Sequence, residues 1–404
     1  MNQVKKKLQR VAKGTLLALA AVFITWSVTV SAQTAPEWQA LLERIVNINS
    51  GTQNVEGLDA VREVLMPEFE KLGFKAEIYD LDDGHKLLAM AVSGGEPELL
   101  LMGHIDTVFK QDSAFQRFEV RGDKIFGPGI IDMKAGIILI LELLRKFEGT
   151  DQLKKFLVIL NDDEEIGSPY SHALVKELVA DAKTGLVFEP GLPGGAVVTS
   201  HSGVRWLTLS VQGKASHAGL EPKKGINACV ELSHKVVEIS KLTEYSKKLT
   251  VNVGVIDGGT KPNVVCEHAE AMIDIRFVER EDEKETVRKI QDITDRHYVY
   301  NDHLEAAPTA KLEAIVAIPS MPGSHTKRLY GLLKIAGENI NQKVTGSHVG
   351  FTSDANHLAD TGMDLLVGLG PYGEGMHTDG EFLTISTFGE RLKLTEALIK
   401  EILK

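Results

Sequence analysis

Residues 99–106 read Leu-Leu-Leu-Met-Gly-His-Ile-Asp, residues 156–167 read Phe-Leu-Val-Ile-Leu-Asn-Asp-Asp-Glu-Glu-Ile-Gly, and residues 186–190 read Leu-Val-Phe-Glu-Pro. Each is a short apolar run, the length of a buried strand, that ends abruptly in histidine or acid. Helical patterns separate them: Ala135 to Leu144 is nearly all apolar, and His172 to Ala180 follows the second run. Strands alternating with helices specify an α/β fold with a mostly parallel, doubly wound sheet. Ligands in such sheets collect beyond the carboxyl ends of the strands. That is where these histidines and acids fall.

The flanking sequence completes the layout. Helical spacing covers Glu37 to Ile48 and Leu58 to Leu72, the latter stopped by Gly73. Phe74 to Asp80 alternates like an edge strand, with Lys86 to Val92 as its hairpin partner. The pattern changes near Ser202. Strand Arg205–Gln212, helix 225–242, strands Leu249–Ile256 and Ala269–Val278, helix 283–298 and a last strand 303–315 form a ferredoxin-like α+β order. After Pro319 and Pro322, helix (326–336) and buried strand (Asp364–Val367) resume. The expectation is a doubly wound mixed-sheet domain built from 33–201 and 317–404, with an α+β domain, 202–316, inserted into it.

The chain has 404 residues, 43% hydrophobic and 25% charged, an ordinary globular balance. Residues 1–32 carry Lys5, Lys6, Lys7, Arg10 and Lys13 but no acid, then an apolar stretch and the small-x-small tripeptide Val30-Ser31-Ala32. This is the layout of a secretory signal peptide, and the expected location is periplasmic or secreted. An uncleaved anchor is the alternative. The formal charge of −11 disfavours nucleic acid and anionic lipid as partners, and no membrane association is expected after cleavage. Cys229 and Cys266 are the only cysteines. Export permits a disulfide; two buried free thiols are the preferred expectation. No Cys-x-x-Cys pair offers a thiolate zinc site.

His104 and Asp106 lie two apart on an extended segment and share a face. A carboxylate there can fix the tautomer of a metal-bound imidazole; a capped loop histidine has the same sequence. Asp162 to Glu165 is either a solvated acidic turn or a cation site abutting a buried strand. Asp132, in Gly127-Pro128-Gly129-Ile130-Ile131-Asp132, could bridge two cations or cap the helix after it. His377 sits in a glycine-rich loop beyond Asp364–Val367. Taken together with Glu189, these loops suit two zinc ions sharing Asp132, with cobalt or manganese as chemically acceptable substitutes. Neither Gly-x-Ser-x-Gly nor Gly-x-Gly-x-x-Gly after the first strand occurs, which argues against a serine hydrolase and a nucleotide-binding protein.

GHIDTVF, GPGIIDMKAG, DDEEIGS, GKASHAG, IDIRF and GMHTD together resemble the motifs of the aminoacylase/carboxypeptidase G family of co-catalytic zinc exopeptidases, over roughly Trp38 to Leu403. The likeness is to bacterial exported glutamate carboxypeptidases in particular. It implies His104 and Glu189 as ligands of one zinc, Glu165 and His377 of the other, Asp132 as the bridge, Asp106 orienting His104, and Glu164 as general base. It also implies a cis peptide after Asp132 and a homodimer in which His217 reaches the partner's site. Arg276 would clamp a substrate carboxylate, and Asn263 would contact a substrate carbonyl or carboxylate. For these three the plain readings are a turn histidine, a surface arginine and a turn former. The implied activity is release of a C-terminal amino acid from a small-molecule or short peptide substrate with a free carboxylate. Deacylation of N-acyl amino acids, dipeptide cleavage and, from another class, non-catalytic binding are the alternatives. Gly350-Phe351-Thr352-Ser353-Asp354 departs from the Gly-Gly-Thr-Asp form expected of glutamate carboxypeptidases, which weighs against glutamate as the residue released.

Overall fold

A computed structural model of the chain describes residues 35–404; the expected signal segment lies outside the described residues. The three apolar runs are neighbouring strands of one eight-stranded sheet. In order across it are Phe74–Asp80, Lys86–Val92, Phe156–Asn161, Leu99–His104, Thr184–Val187, Asp364–Val367, Val197–His201 and Gly346–Val349. The four central strands, from Phe156–Asn161 to Asp364–Val367, run parallel. Antiparallel pairs at either side make the sheet mixed. The parallel block puts the ends of its strands on one edge, so the loops carrying His104, Glu164, Glu165, Glu189 and His377 all leave from there.

The helix Ala135–Arg145 buries every residue but Glu142 and Arg145, which pair at 2.6 Å. An apolar surface all round is what a helix enclosed on every side requires. Asp132 is not its N-cap. Lys134 holds that position without a side-chain cap bond, and Asp132 lies in an irregular turn before it. The Asp132–Met133 peptide is cis, as the resemblance implies.

Residues 203–318 supply a second, four-stranded antiparallel sheet, in the order Thr250–Gly258, His268–Phe277, Gly203–Gln212, Thr309–Ile318. With helices Ala228–Ile239 and Arg280–Asp295 this is the ferredoxin-like arrangement. Its last strand begins at Thr309, not near His303, because Asn301 folds residues 301–306 into a turn by accepting from the His303 and Leu304 amides. The expectation of free thiols is corrected: Cys229 and Cys266 form a disulfide, Cα atoms 5.7 Å apart. It ties the first turn of a helix to the segment leading into strand His268–Phe277, an adjacency that a 37-residue separation does not reveal.

A third sheet escapes sequence reading because its strands have two or three residues each. Its order is Gly373–Glu374, Phe382–Thr384, Lys124–Phe126, Glu119–Arg121. Pairing of Phe382 with Phe126 draws the segment after His377 alongside the segment before Asp132. Among the described residues no helix is long and apolar enough to cross a membrane.

Candidate metal centre

His104 closes its strand fully buried. Its Nε2 lies 3.2 Å from Asp132 Oδ1 and 3.5 Å from Glu189 Oε1. His377 comes from the opposite side, Nε2 3.2 Å from Asp132 Oδ2 and 3.2 Å from Glu165 Oε2. Asp132 therefore turns one carboxylate oxygen toward each imidazole. The ring nitrogen of His104 that faces away, Nδ1, is 3.1 Å from the Asp106 carbonyl and 3.3 Å from its carboxylate, so its N–H has acceptors and Nε2 is left to the site.

Asp106 also fixes the acidic turn. Its carboxylate accepts from Thr52 Oγ1 at 2.8 Å and from the amides of Glu164 and Glu165 at 3.3 and 3.1 Å. The four consecutive acids divide in two, and the solvated-turn reading does not hold. Asp162 is buried against Arg62 and His85. Asp163 accepts from the amides of Tyr170 and Ser171. Glu164 and Glu165 face the cluster.

The residues fit divalent cations. Glu165 Oε1 and Glu189 Oε1 are buried without a hydrogen-bond partner, which is costly for carboxylates unless a cation balances them. Donor atoms of His104, Asp132 and Glu165 lie within 4.8 Å of one another, as do those of His104, Glu164 and Glu189. This proximity groups Asp132 with Glu165 and puts Glu164 beside Glu189, and the pairs that the resemblance names, His104 with Glu189 and Glu165 with His377, also lie side by side at 3.5 and 3.2 Å. The shared use of Asp132 joins the two pairs, because each of its oxygens has one histidine at 3.2 Å.

Within the cluster, burial and neighbouring charges pull in opposite directions. Burial, reinforced by Glu189, Asp354 and Glu165 and opposed by His104, raises Glu164 well above the usual carboxyl range. Burial does the same to Glu189 and pushes Glu165 up to about 7. Asp132 is the exception: burial would raise it, but His104 and His377 hold it below the usual range. Hydrogen bonds to Asp132 and Glu165 lift His377 to about 10. Burial would lower His104, but Glu189, Asp106 and Asp132 outweigh that and raise it well above its ordinary value.

A cavity of about 620 Å³ opens beside the cluster. It is lined by Asp132, Glu164, Glu165, Glu189 and His377 on one side and by Arg276, Trp206 and Phe351 on the other. Arg276 thus shares the cavity with the histidine–carboxylate cluster; its Nε donates to both oxygens of Asp274 at 3.0 Å. Of the 350–354 stretch, Phe351 and Thr352 line the cavity, while Asp354 is buried against Asn161 and Ser168. His217 and Asn263 are not brought to the cavity. They sit side by side and exposed, the Ala218 amide bonded to the Asn263 carbonyl and His217 Nδ1 accepting from the amides of Gly219 and Leu220.

Sequence reading missed Glu381. It is fully buried and accepts from the amides of Gly129, Ile131 and Asp132 at 2.9, 2.8 and 3.2 Å. Gly129 adopts φ +67°, and a side chain there would meet Thr107 at 2.3 Å, so this turn can pass only with glycine. The one available signal was an acid four residues after His377, in a loop otherwise free to be exposed.

A mixed α/β sheet presenting imidazoles and carboxylates that fit paired cations defines a metal-dependent peptidase or amidohydrolase. Comparison with known proteins agrees. The Peptidase dimerisation domain of the M20 class matches residues 199–302, and the Peptidase family M28 model matches residues 87–197. Carboxypeptidase G2 of Pseudomonas sp. (strain RS-16) is 31% identical over 89% of this chain and 88% of its own. Acetylornithine deacetylase of Klebsiella pneumoniae (strain 342) is 27% identical over 60% and 68%. The solved structure of aminopeptidase PepT from Bacillus cereus superposes with a TM-score of 0.74 at 23% identity, covering 91% of this chain and 98% of that one, a likeness of fold. The chain belongs to the M20 peptidase family and is an enzyme of that metallopeptidase class.

Proposed function

We propose that the protein is an exported dizinc metallopeptidase that hydrolyses an amide bond and releases a C-terminal amino acid from an acyl or peptidyl substrate. The observation that carries this reading is Asp132 facing His104 with one oxygen and His377 with the other, beside a cavity that also holds Glu164 and Arg276. His104 and Glu189 would hold one cation, Glu165 and His377 the other, and Asp132 both. Bound there, divalent cations would supply polarisation of the amide carbonyl and acidification of water.

The chain's own residues do the rest. Glu164 accepts a proton from the attacking water on a carboxylate oxygen and delivers it to the leaving nitrogen. Arg276 holds the substrate's free carboxylate with the terminal nitrogens of its guanidinium, since Asp274 occupies Nε. Asp106 keeps the His104 ring and the Glu164–Glu165 backbone in register. Residues 202–316 act as an inserted lid and dimerisation domain, and His217 and Asn263, which do not line this chain's cavity, complete the site of a second copy. Export is supported by the pattern of residues 1–32 and by the Cys229–Cys266 disulfide, which an oxidising compartment maintains.

The test is a mass-spectrometric screen of N-acyl amino acids and dipeptides with purified, zinc-loaded protein. It also separates carboxypeptidase from deacylase and dipeptidase activity at the same site. Glu164→Ala should abolish turnover while both metals stay bound. Loss of a metal in that variant would make Glu164 a ligand and remove it as the base.

A further inference from the structure

We infer that the amino acid released carries an apolar, preferably aromatic, side chain, and that Phe351 selects it. The inference rests on the amidohydrolase reading and adds the substrate class. Its first ground is charge. Among the described residues lining the cavity, Arg276 is the only arginine or lysine. One guanidinium can clamp one carboxylate. A glutamate product would bring a second carboxylate, for which this chain's wall offers no second guanidinium or ammonium, while Glu374 adds a further negative charge to the lining. Burying it unpaired is strongly unfavourable.

The second ground is the wall around Arg276. Strand register sets Ile318, Val204 and Arg276 in one row across the second sheet, and Val316, Trp206 and Asp274 in the next. The carboxylate clamp is therefore bordered by aliphatic side chains and an indole. The one polar atom of that indole, Nε1, already donates to Asp274 at 2.6 Å. Gly350 O lies 3.5 Å from Arg276 Nη1, which places the next residue, Phe351, beside the clamp. Trp206 and Phe351 are 40% and 43% exposed, although both line the cavity. Large apolar side chains left open around one cavity mark a surface that a ligand covers. Phe351 is itself held: its carbonyl accepts from buried His201 at 3.0 Å and its ring packs edge-on to that imidazole.

Binding and turnover are read separately. Glu164→Gln protein loaded with zinc is titrated calorimetrically with N-acetyl-L-phenylalanine, N-acetyl-L-leucine and N-acetyl-L-glutamate. The apolar ligands should bind at least tenfold more tightly than the glutamate ligand, and Phe351→Lys should shrink that ratio at least tenfold. Glutamate binding as tight or tighter, no measurable binding of any of the three, or a ratio unmoved by Phe351→Lys would overturn the inference. Wild-type protein is assayed on the same compounds. Failure to cleave any of them would count against the amidohydrolase reading alone, while the order of binding still decides the pocket.

Discussion

Glu381 receives the backbone N–H of Asp132 at 3.2 Å across 249 residues of chain. The same carboxylate takes two further amides of the turn, so the residue that faces both histidines is held by its main chain as well as by its ring partners. Glu381→Ala would strand three buried N–H groups, each costing about 1–3 kcal/mol. The expected outcome is zinc affinity lowered about 10–100-fold together with a lower melting temperature, measured by chelator competition and thermal unfolding. Unchanged zinc affinity would show that the turn keeps its shape unaided.

Asp106 tests the other support. In Asp106→Asn one carboxylate oxygen becomes an NH2 group, so one of the acceptors serving His104, Thr52 and the Glu164–Glu165 amides is replaced by a donor. Metal affinity should fall about 10–100-fold, with kcat reduced even at saturating zinc because Glu164 is displaced too. A variant whose kcat recovers fully once zinc is saturating would confine Asp106 to metal binding.

The site was legible in sequence as far as it is local. His104, Glu164, Glu165 and Glu189 follow directly on apolar strands, and the parallel order of those strands sends their loops to one edge. What was hidden depends on partners far along the chain. Asp162 and Glu165 look alike in the run Asp-Asp-Glu-Glu, and only the arrival of Arg62 and His85 turns Asp162 away from the cluster. Glu381 binds backbone, which leaves no trace in residue type. The alternation of Arg205–Gln212 announced a half-exposed strand but not that Trp206 would look into the cavity. That depends on how the second sheet faces the first.

The disulfide makes the second sheet's layer partly dependent on redox state. In the chain-entropy account, closing a loop of 37 residues stabilises by about 4 kcal/mol. Cys229→Ser/Cys266→Ser protein should lose about 2–4 kcal/mol in urea unfolding while retaining two zinc ions per chain, since neither cysteine is near the metal cluster. Loss of metal along with stability would mean that the two parts of the fold unfold as one cooperative unit.

Acid should weaken the fold through two histidines that carry no catalytic assignment. His201 is fully buried, its Nδ1–H donating to the Phe351 carbonyl, and burial pushes it down to about 4. His357 donates through Nε2 to the Gly167 carbonyl, and burial, with His172 beside it, pushes it down to about 4 as well. Both are held neutral in the fold, whereas the unfolded chain takes up these protons near pH 6.5. The unfolded state therefore binds more protons between about pH 6.5 and 4. The stability of the folded state is fully present above that window and is lost as pH falls through it, by up to about 3 kcal/mol for each group. His201→Gln/His357→Gln protein should be less stable than wild type at pH 7.5, and the gap should narrow steadily toward pH 4.5 in urea midpoints. The two carbonyls belong to the Phe351 loop and to the turn behind Glu164–Glu165, so wild-type activity should fall with the same midpoint as these loops loosen. Parallel pH profiles for variant and wild type would place the acid sensitivity elsewhere.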